Sequence, residues 1–154
     1  EFYLDHNAYQ NPDQAGAIYV DYEVPLSDQP DNIILYGHNM RNKDMFGDLT
    51  KLKDPNTFAN RPLIYWETPE ESATFKIVGV AFMDLTDPEK FYPFHQFLKA
   101  EKEEDIKAYV SEFKDRALAW DPEEEIGLGD QLMTLVTCTY ETQDARLLVL
   151  GKKR

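Results

Sequence analysis

Short runs of β-branched and aromatic residues, each cut off by Pro, Asp, Asn or Gly, leave this chain few folds to choose from. Such runs occupy residues 17–22, 32–37, 63–66, 73–85, 131–137 and 145–150, the fourth long enough to continue through a bend near Gly79. A helical period occurs mainly in one place. Between residues 93 and 119, Phe94, Phe97, Leu98, Ile106, Tyr109, Val110, Phe113 and Ala117 recur at helix spacing opposite a charged face. A shorter helix is expected over 45–52, with Asp44 as N-cap and Phe46 and Leu49 as its buried side.

Strands, one main helical excursion and two closing strands predict a mostly β fold with a helical insertion. The expected form is a mixed β-barrel with one long helix ahead of the strand that ends at Cys138. The 154 residues read as one domain, with no repeat, low-complexity tract or linker to mark a second. Asp121, Glu123, Glu124 and Glu125 beside Pro122 read as a solvated loop, and their spacing matches no standard calcium loop.

The net charge of -13 argues against a nucleic-acid partner and against docking on an anionic membrane, both of which need clustered cations. No apolar run approaches the roughly 20 residues that span a bilayer. Residue 1 is not Met, so a trimmed chain is expected, with any signal or anchor lying outside it.

A single cysteine excludes an internal disulfide and a cysteine-based zinc cluster. Cys138 is then either a small buried hydrophobe or a reactive thiol. Alternation puts Thr134, Val136 and Cys138 on one strand face, with Cys138 last, where the strand gives way to polar residues. That end position favours access over burial.

Arg146 opens the next run. If the two strands pair antiparallel, it falls close to opposite Cys138, with Cβ atoms about 4.5–5.5 Å apart. A guanidinium there favours the thiolate and can donate to a developing oxyanion. The competing reading has Arg146 solvated, or paired with Glu141 or Asp144. His38 ends the run after Gly37, on the face shared with Ile34 and Tyr36. A lone histidine is more often structural, but this one joins a thiol and an arginine at strand ends. Nucleophilic catalysis asks for those three things: a nucleophile, a proton carrier and an oxyanion stabiliser. His6 and His95 have no comparable setting, and three scattered histidines do not suggest a metal site.

Thr134-Leu135-Val136-Thr137-Cys138 matches the TLxTC signature of sortases, and the chain resembles their class B. Asn32-Ile33-Ile34-Leu35-Tyr36-Gly37-His38-Asn39-Met40 is similar to the stretch around the class B catalytic histidine. Met45-Phe46-Gly47-Asp48-Leu49 follows at the expected interval, and Cys138-Thr139-Tyr140-Glu141 leading to Ala145-Arg146 is similar to the class B Cys-to-Arg segment. Tyr3-Leu4-Asp5-His6-Asn7 and Gly16-Ala17-Ile18-Tyr19-Val20-Asp21-Tyr22 resemble the amino-terminal half.

The resemblance implies a sortase-type β-barrel, no cofactor, and a cysteine transpeptidase that cleaves a C-terminal sorting signal after its Thr. Cys138 would be the thioacyl-forming nucleophile, His38 the general acid and then base, and Arg146 the oxyanion stabiliser. Thr137 would contribute to substrate or oxyanion contacts, and Asn39 to substrate binding. The implied partners are the sorting-signal peptide of a surface or pilin protein and an amine, from a cell-wall precursor or a pilin lysine. The implied location is the extracellular face of a Gram-positive cell membrane.

By the same resemblance, residues 1–154 are expected to be a catalytic domain without the N-terminal anchor, N-terminal helices and first strand of the family. The segment after Arg146 also lacks a His common in class B. Two other readings compete: a cysteine endopeptidase with water as acceptor, and a non-catalytic peptide-binding domain.

Overall fold

Pairing organises the chain where its alternation is strongest. The computed structural model describes residues 2–89, 91–138 and 144–154. Among these, seven strands make one sheet: β1 (Tyr19–Val20), β2 (Asn32–Tyr36), β3 (Leu63–Glu67), β4 (Ser72–Asp84), β5 (Ala117–Trp120), β6 (Leu132–Cys138) and β7 (Ala145–Lys153). The order is β1-β2-β6-β7-β4-β3, with β5 also on β4. Only β2–β6 is parallel, and the chain between those two strands supplies the long crossover that a parallel pair requires. The path ends at β1 and β3, with no pairing between them among the described residues. The expected barrel is therefore a mixed sheet left open in its hydrogen bonding.

The bend foreseen near Gly79 is a register shift of β4 against β7 between Ile77 and Gly79. It lets the inner part of β4 hold β3 while the part beyond the bend holds β5.

Each face of the sheet has its own apolar layer, as strict alternation demands. Ile34, Val136, Leu148 and Leu150 pack under α2 (Glu103–Asp115) through Ile106, Tyr109, Val110 and Phe113. Ile33, Leu35, Met133, Leu135, Leu147 and Val149 face Phe46, Leu52 and Phe58. Burial of each such side chain contributes about 1.5–3 kcal/mol, so the two layers fix which face every strand residue takes.

The helices differ from expectation in physical ways. The period over 93–119 is not one helix: it divides into a 3₁₀ turn (Phe94–Gln96, containing His95), an extended stretch, α2 and β5. The extended stretch is held by Asp31 and Asn32, whose backbone N–H groups donate to the Leu98 carbonyl, while the Asp31 carboxylate accepts from Ala100 N (2.7 Å). Tertiary hydrogen bonding thus overrides a helix-spaced apolar pattern. α2 starts where the Asp105 carboxylate accepts from the backbone of Glu101 (3.0 Å) and Lys102 (3.1 Å), with three acidic residues in the first turn favoured by the helix dipole.

The short helix expected over 45–52 is likewise displaced. Met45 has φ 53°, which no right-handed helix accepts, and a 3₁₀ segment begins only at Gly47 (Gly47–Lys53). The α-helical turn, α1 (Pro55–Ala59), follows it, capped by Asp54, which accepts from Thr57 N (2.8 Å), with Pro55 in the first turn.

The acidic loop is only half solvated. Glu123 and Glu125 are exposed, but Asp121 is buried, paired with Arg61 and with Lys76 (2.9 Å), and Lys76 also reaches Glu124 (2.7 Å).

Candidate active site

Three neighbouring strands meet one rim of the sheet: β2 and β6 end there, and β7 begins there. Pairing aligns Tyr36 with Val136, and Cys138 with Arg146. The β2–β6 alignment continues past the last paired position. Gly37 N donates to the Val136 carbonyl (3.1 Å), Thr137 Oγ1 to the Gly37 carbonyl (2.7 Å), and Asn39 Nδ2 to the Cys138 carbonyl (3.0 Å). His38 is thereby set level with Cys138, and Cys138 with Arg146. Adjacent strands lie about 4.8 Å apart, so the three residues form a row one strand spacing from neighbour to neighbour. They share the face of Tyr36, Val136 and Leu148, which form the row beneath.

The members of the row differ in exposure. Cys138 is exposed, as a strand-end thiol should be, while Arg146 and His38 are half-buried. Arg146 Nη1 donates to the Ala145 carbonyl (3.1 Å), and no ion pair to it occurs among the described residues. Of the two carboxylates that could have neutralised it, Asp144 makes no such pair, and Glu141 lies outside the described residues.

Two loops hold His38. The residues after it fold back, so that Phe46 N donates to the His38 carbonyl (2.9 Å) and Asn39 bridges Met45. The Phe46 ring then lies against Gly37, where a Cβ would meet it at 2.7 Å. Only glycine leaves that space. On the ring side, His38 Nε2 lies 2.5 Å from the Leu4 carbonyl oxygen. Nothing in the sequence pattern pointed to this partner, because a backbone carbonyl has no residue signature.

Thr137 and Asn39 are both buried, and their described bonds tie the ends of β2 and β6 together. Below the row, Tyr36 donates to Asp21 Oδ2 (2.8 Å); burial first, then that carboxylate, pushes its phenol far above the ordinary range. No group of three or more His, Cys, Asp or Glu suited to a metal occurs among the described residues.

A thiol, an imidazole and a guanidinium set level on adjacent strands give the chemistry of a thiol centre: a nucleophile, a proton carrier and a donor for developing negative charge. The model of the sortase domain matches residues 4–154. Sortase B of Listeria monocytogenes is 28% identical over 156 residues, spanning 99% of this chain and 60% of that relative. The chain thus covers three-fifths of the length of that curated relative.

Among solved structures, Clostridium perfringens sortase B superposes with a TM-score of 0.86 at 31% identity, over 100% of this chain and 81% of the other. A Staphylococcus aureus sortase B–substrate complex superposes at 0.85 and 20% identity, over 99% and 68%, a likeness of fold. The chain belongs to the sortase family, and its relatives place it with the class B sortases.

Proposed function

We propose that this chain is the catalytic domain of a class B sortase, a cysteine transpeptidase acting through Cys138, His38 and Arg146. The observation that carries this reading is the level row of those three residues, with an exposed thiol at its centre.

The Cys138 sulfur attacks the carbonyl carbon of the Thr in a sorting signal, and the carbonyl electron pair moves to oxygen, facing Arg146. Collapse restores the carbonyl and breaks the C–N bond, and the leaving amine takes a proton from His38. The thioacyl enzyme then meets a second amine. That amine attacks the same carbon, gives its proton to His38, and expels the thiolate. Thr137 and Asn39 enter as substrate-side residues of the same strand ends. Their bonds to Gly37 and Cys138 favour a part in holding the backbone that receives the peptide.

The substrate is the sorting signal of a surface or pilin protein, in keeping with the substrate complex known for the Staphylococcus aureus relative. The acceptor is the amine of a cell-wall precursor or a pilin lysine. The site of action is the extracellular face of a Gram-positive cell membrane, reached through an anchor in the longer protein. No helix among the described residues is long and apolar enough to cross a membrane.

A library of sorting peptides, incubated with the protein and read by mass spectrometry, tests the assignment. A thioacyl adduct is expected on the native chain and absent from Cys138→Ala; an adduct that persists in the variant sinks it. Adding an amine should convert adduct to ligated product, and release of free acid alone would establish the hydrolase instead.

A further inference from the structure

His38 Nε2 and the Leu4 carbonyl oxygen lie 2.5 Å apart, and a carbonyl oxygen only accepts. The proton of that hydrogen bond therefore sits on Nε2. In the neutral ring Nδ1 is then bare, so Nδ1 is the nitrogen whose proton comes and goes.

The carbonyl is held by more than its own peptide. Residues 2–17 fold into a turn closed by Ala17 N donating to the Tyr3 carbonyl (2.9 Å), Asp13 N to the Asp5 carbonyl (2.8 Å), and a bridge from His6 to Pro12. A ladder of rings fastens the turn to the sheet: Tyr3 against Tyr19 (6.0 Å) and Tyr19 against Tyr36 (5.5 Å). Tyr36 is two residues before His38, so the ladder ends beneath the site.

Gly16 closes the turn. Its φ is +62°, and a Cβ there would lie 2.5 Å from the Tyr3 carbonyl oxygen and 2.8 Å from the Leu4 carbonyl oxygen. Both are backbone atoms, which cannot swing aside as a side chain can. The second is the acceptor of His38 itself.

We infer that the N-terminal turn is a positioning device for His38: the Leu4 carbonyl, kept in place by the absence of a side chain at Gly16, fixes the ring in the Nε2–H form and directs proton exchange through Nδ1. Gly16 and Leu4 are positioning residues, since neither supplies a reacting group. The proton given to the leaving amine departs from Nδ1, and the proton of the incoming amine arrives there, so the ring returns to its starting form. The inference rests on the transpeptidase reading for its consequence in rate, but not for the tautomer.

The test begins with the native chain carrying ¹⁵N-histidine. Two-bond proton–nitrogen correlation spectra separate the ring tautomers, and subtraction of the His38→Gln spectrum assigns His38 among the three histidines. At a pH where the ring is neutral, a protonated Nε2 and a bare Nδ1 are expected. A protonated Nδ1, or an even mixture, overturns the inference.

Gly16→Ala is the second arm. It should shift His38 toward a mixture of tautomers and lower kcat about tenfold or more, with KM nearly unchanged. A variant with native tautomer and native kcat also overturns the inference. If Gly16→Ala does not fold, the native spectrum decides alone. A native chain with the Nε2–H tautomer but no adduct on sorting peptides would refute the transpeptidase reading and leave the positioning standing. Turnover by a chain with Nδ1–H would do the reverse.

Discussion

The β2–β6 pair carries polar groups at both ends of one face, and the two ends treat them oppositely. At the inner end, Asn32 and Thr134 are wholly buried beneath Tyr109 of α2. Thr134 donates to Asn32 Oδ1 (2.9 Å), Tyr109 donates to Thr134 Oγ1 (2.9 Å), and Asn32 Nδ2 donates to the Phe97 carbonyl (3.0 Å). Every group is used within the protein. Four residues along β6, His38, Cys138 and Arg146 stand level, and among the described residues no hydrogen bond joins their side chains. The same strands thus close one polar cluster to lock packing and leave another open toward solvent. Satisfied polar groups stabilise; groups kept from satisfying one another remain available to a substrate.

Removing the charge at the open end should have the largest effect. Arg146→Met is expected to lower the rate of thioacyl formation about 10²–10³-fold, the usual loss for one oxyanion donor. Its melting temperature should stay near native, because Arg146 is half-buried and, among the described residues, its side chain bonds only its neighbour's carbonyl. Stopped assays on a sorting peptide, with a melt of the same sample, check both. A loss below tenfold would mean that negative charge develops elsewhere.

The closed end should show the converse. Thr134→Val keeps the shape but strands Asn32 Oδ1 and the Tyr109 hydroxyl, costing about 1–3 kcal/mol and lowering Tm by roughly 3–10 °C. Activity per folded molecule should not change. Measured turnover corrected for the folded fraction decides; a drop there would mean that the closed cluster reaches the rim.

The same cluster has a signature in alkali. Burial, offset by the bonds to Thr134 and Asn32, pushes the Tyr109 phenol up to about 12. A raised folded-state value means that the neutral phenol is favoured by folding. Its contribution is full below the unfolded phenol's value of about 10, and is lost as pH rises from there toward 12. Between those limits the native chain should lose on the order of 2 kcal/mol that Tyr109→Phe does not, as urea melts at a series of pH values would show.

How much of this was written in the sequence divides along the same line. Alternation alone set Cys138 at an accessible strand end and put Arg146 opposite it, because period-two geometry is local and the strands are nearly consecutive. His38 was readable as a strand-end histidine on the face of Ile34 and Tyr36, and the sortase resemblance added its catalytic role. Its strand is about a hundred residues away and comes alongside only through the parallel crossover. The run over 93–119 misled because Phe94 and Phe97 fill the α2-side layer from a 3₁₀ turn and the extended residue that ends it, not from an α-helix. Their spacing records which face is buried, not which hydrogen bonds hold it. Ala117–Trp120 became β5 because β4, past its bend, offered an unpaired edge. The Leu4 carbonyl was invisible, since it acts through backbone.

The polar cluster at the other end of β4 lies between the two extremes, and it sharpens the contrast. Asp121 is buried beside Arg61, but its second partner, Lys76, has a side chain 37% exposed. The hydrogen bond from Lys76, then the Glu123 N–H and the nearby charges, hold the Asp121 carboxyl below the usual carboxylate range against the opposing effect of burial. A depressed folded-state value means that folding favours the carboxylate. The stability it brings is present above the unfolded value of about 3.9, and disappears as pH falls through the lower folded value. Asp121→Asn should therefore cost about 1–2 kcal/mol at pH 7. That cost should shrink as pH falls through the lowered folded value, where the native side chain itself becomes neutral. Adduct formation per folded molecule should be untouched, since Lys76 pairs with Lys152, at the opposite end of β7 from Arg146. Urea melts of both chains across pH 2.5–7 measure the gap. A gap constant with pH would show that Asp121 acts by packing and not by charge, and would move this cluster from the half-open class into the closed one.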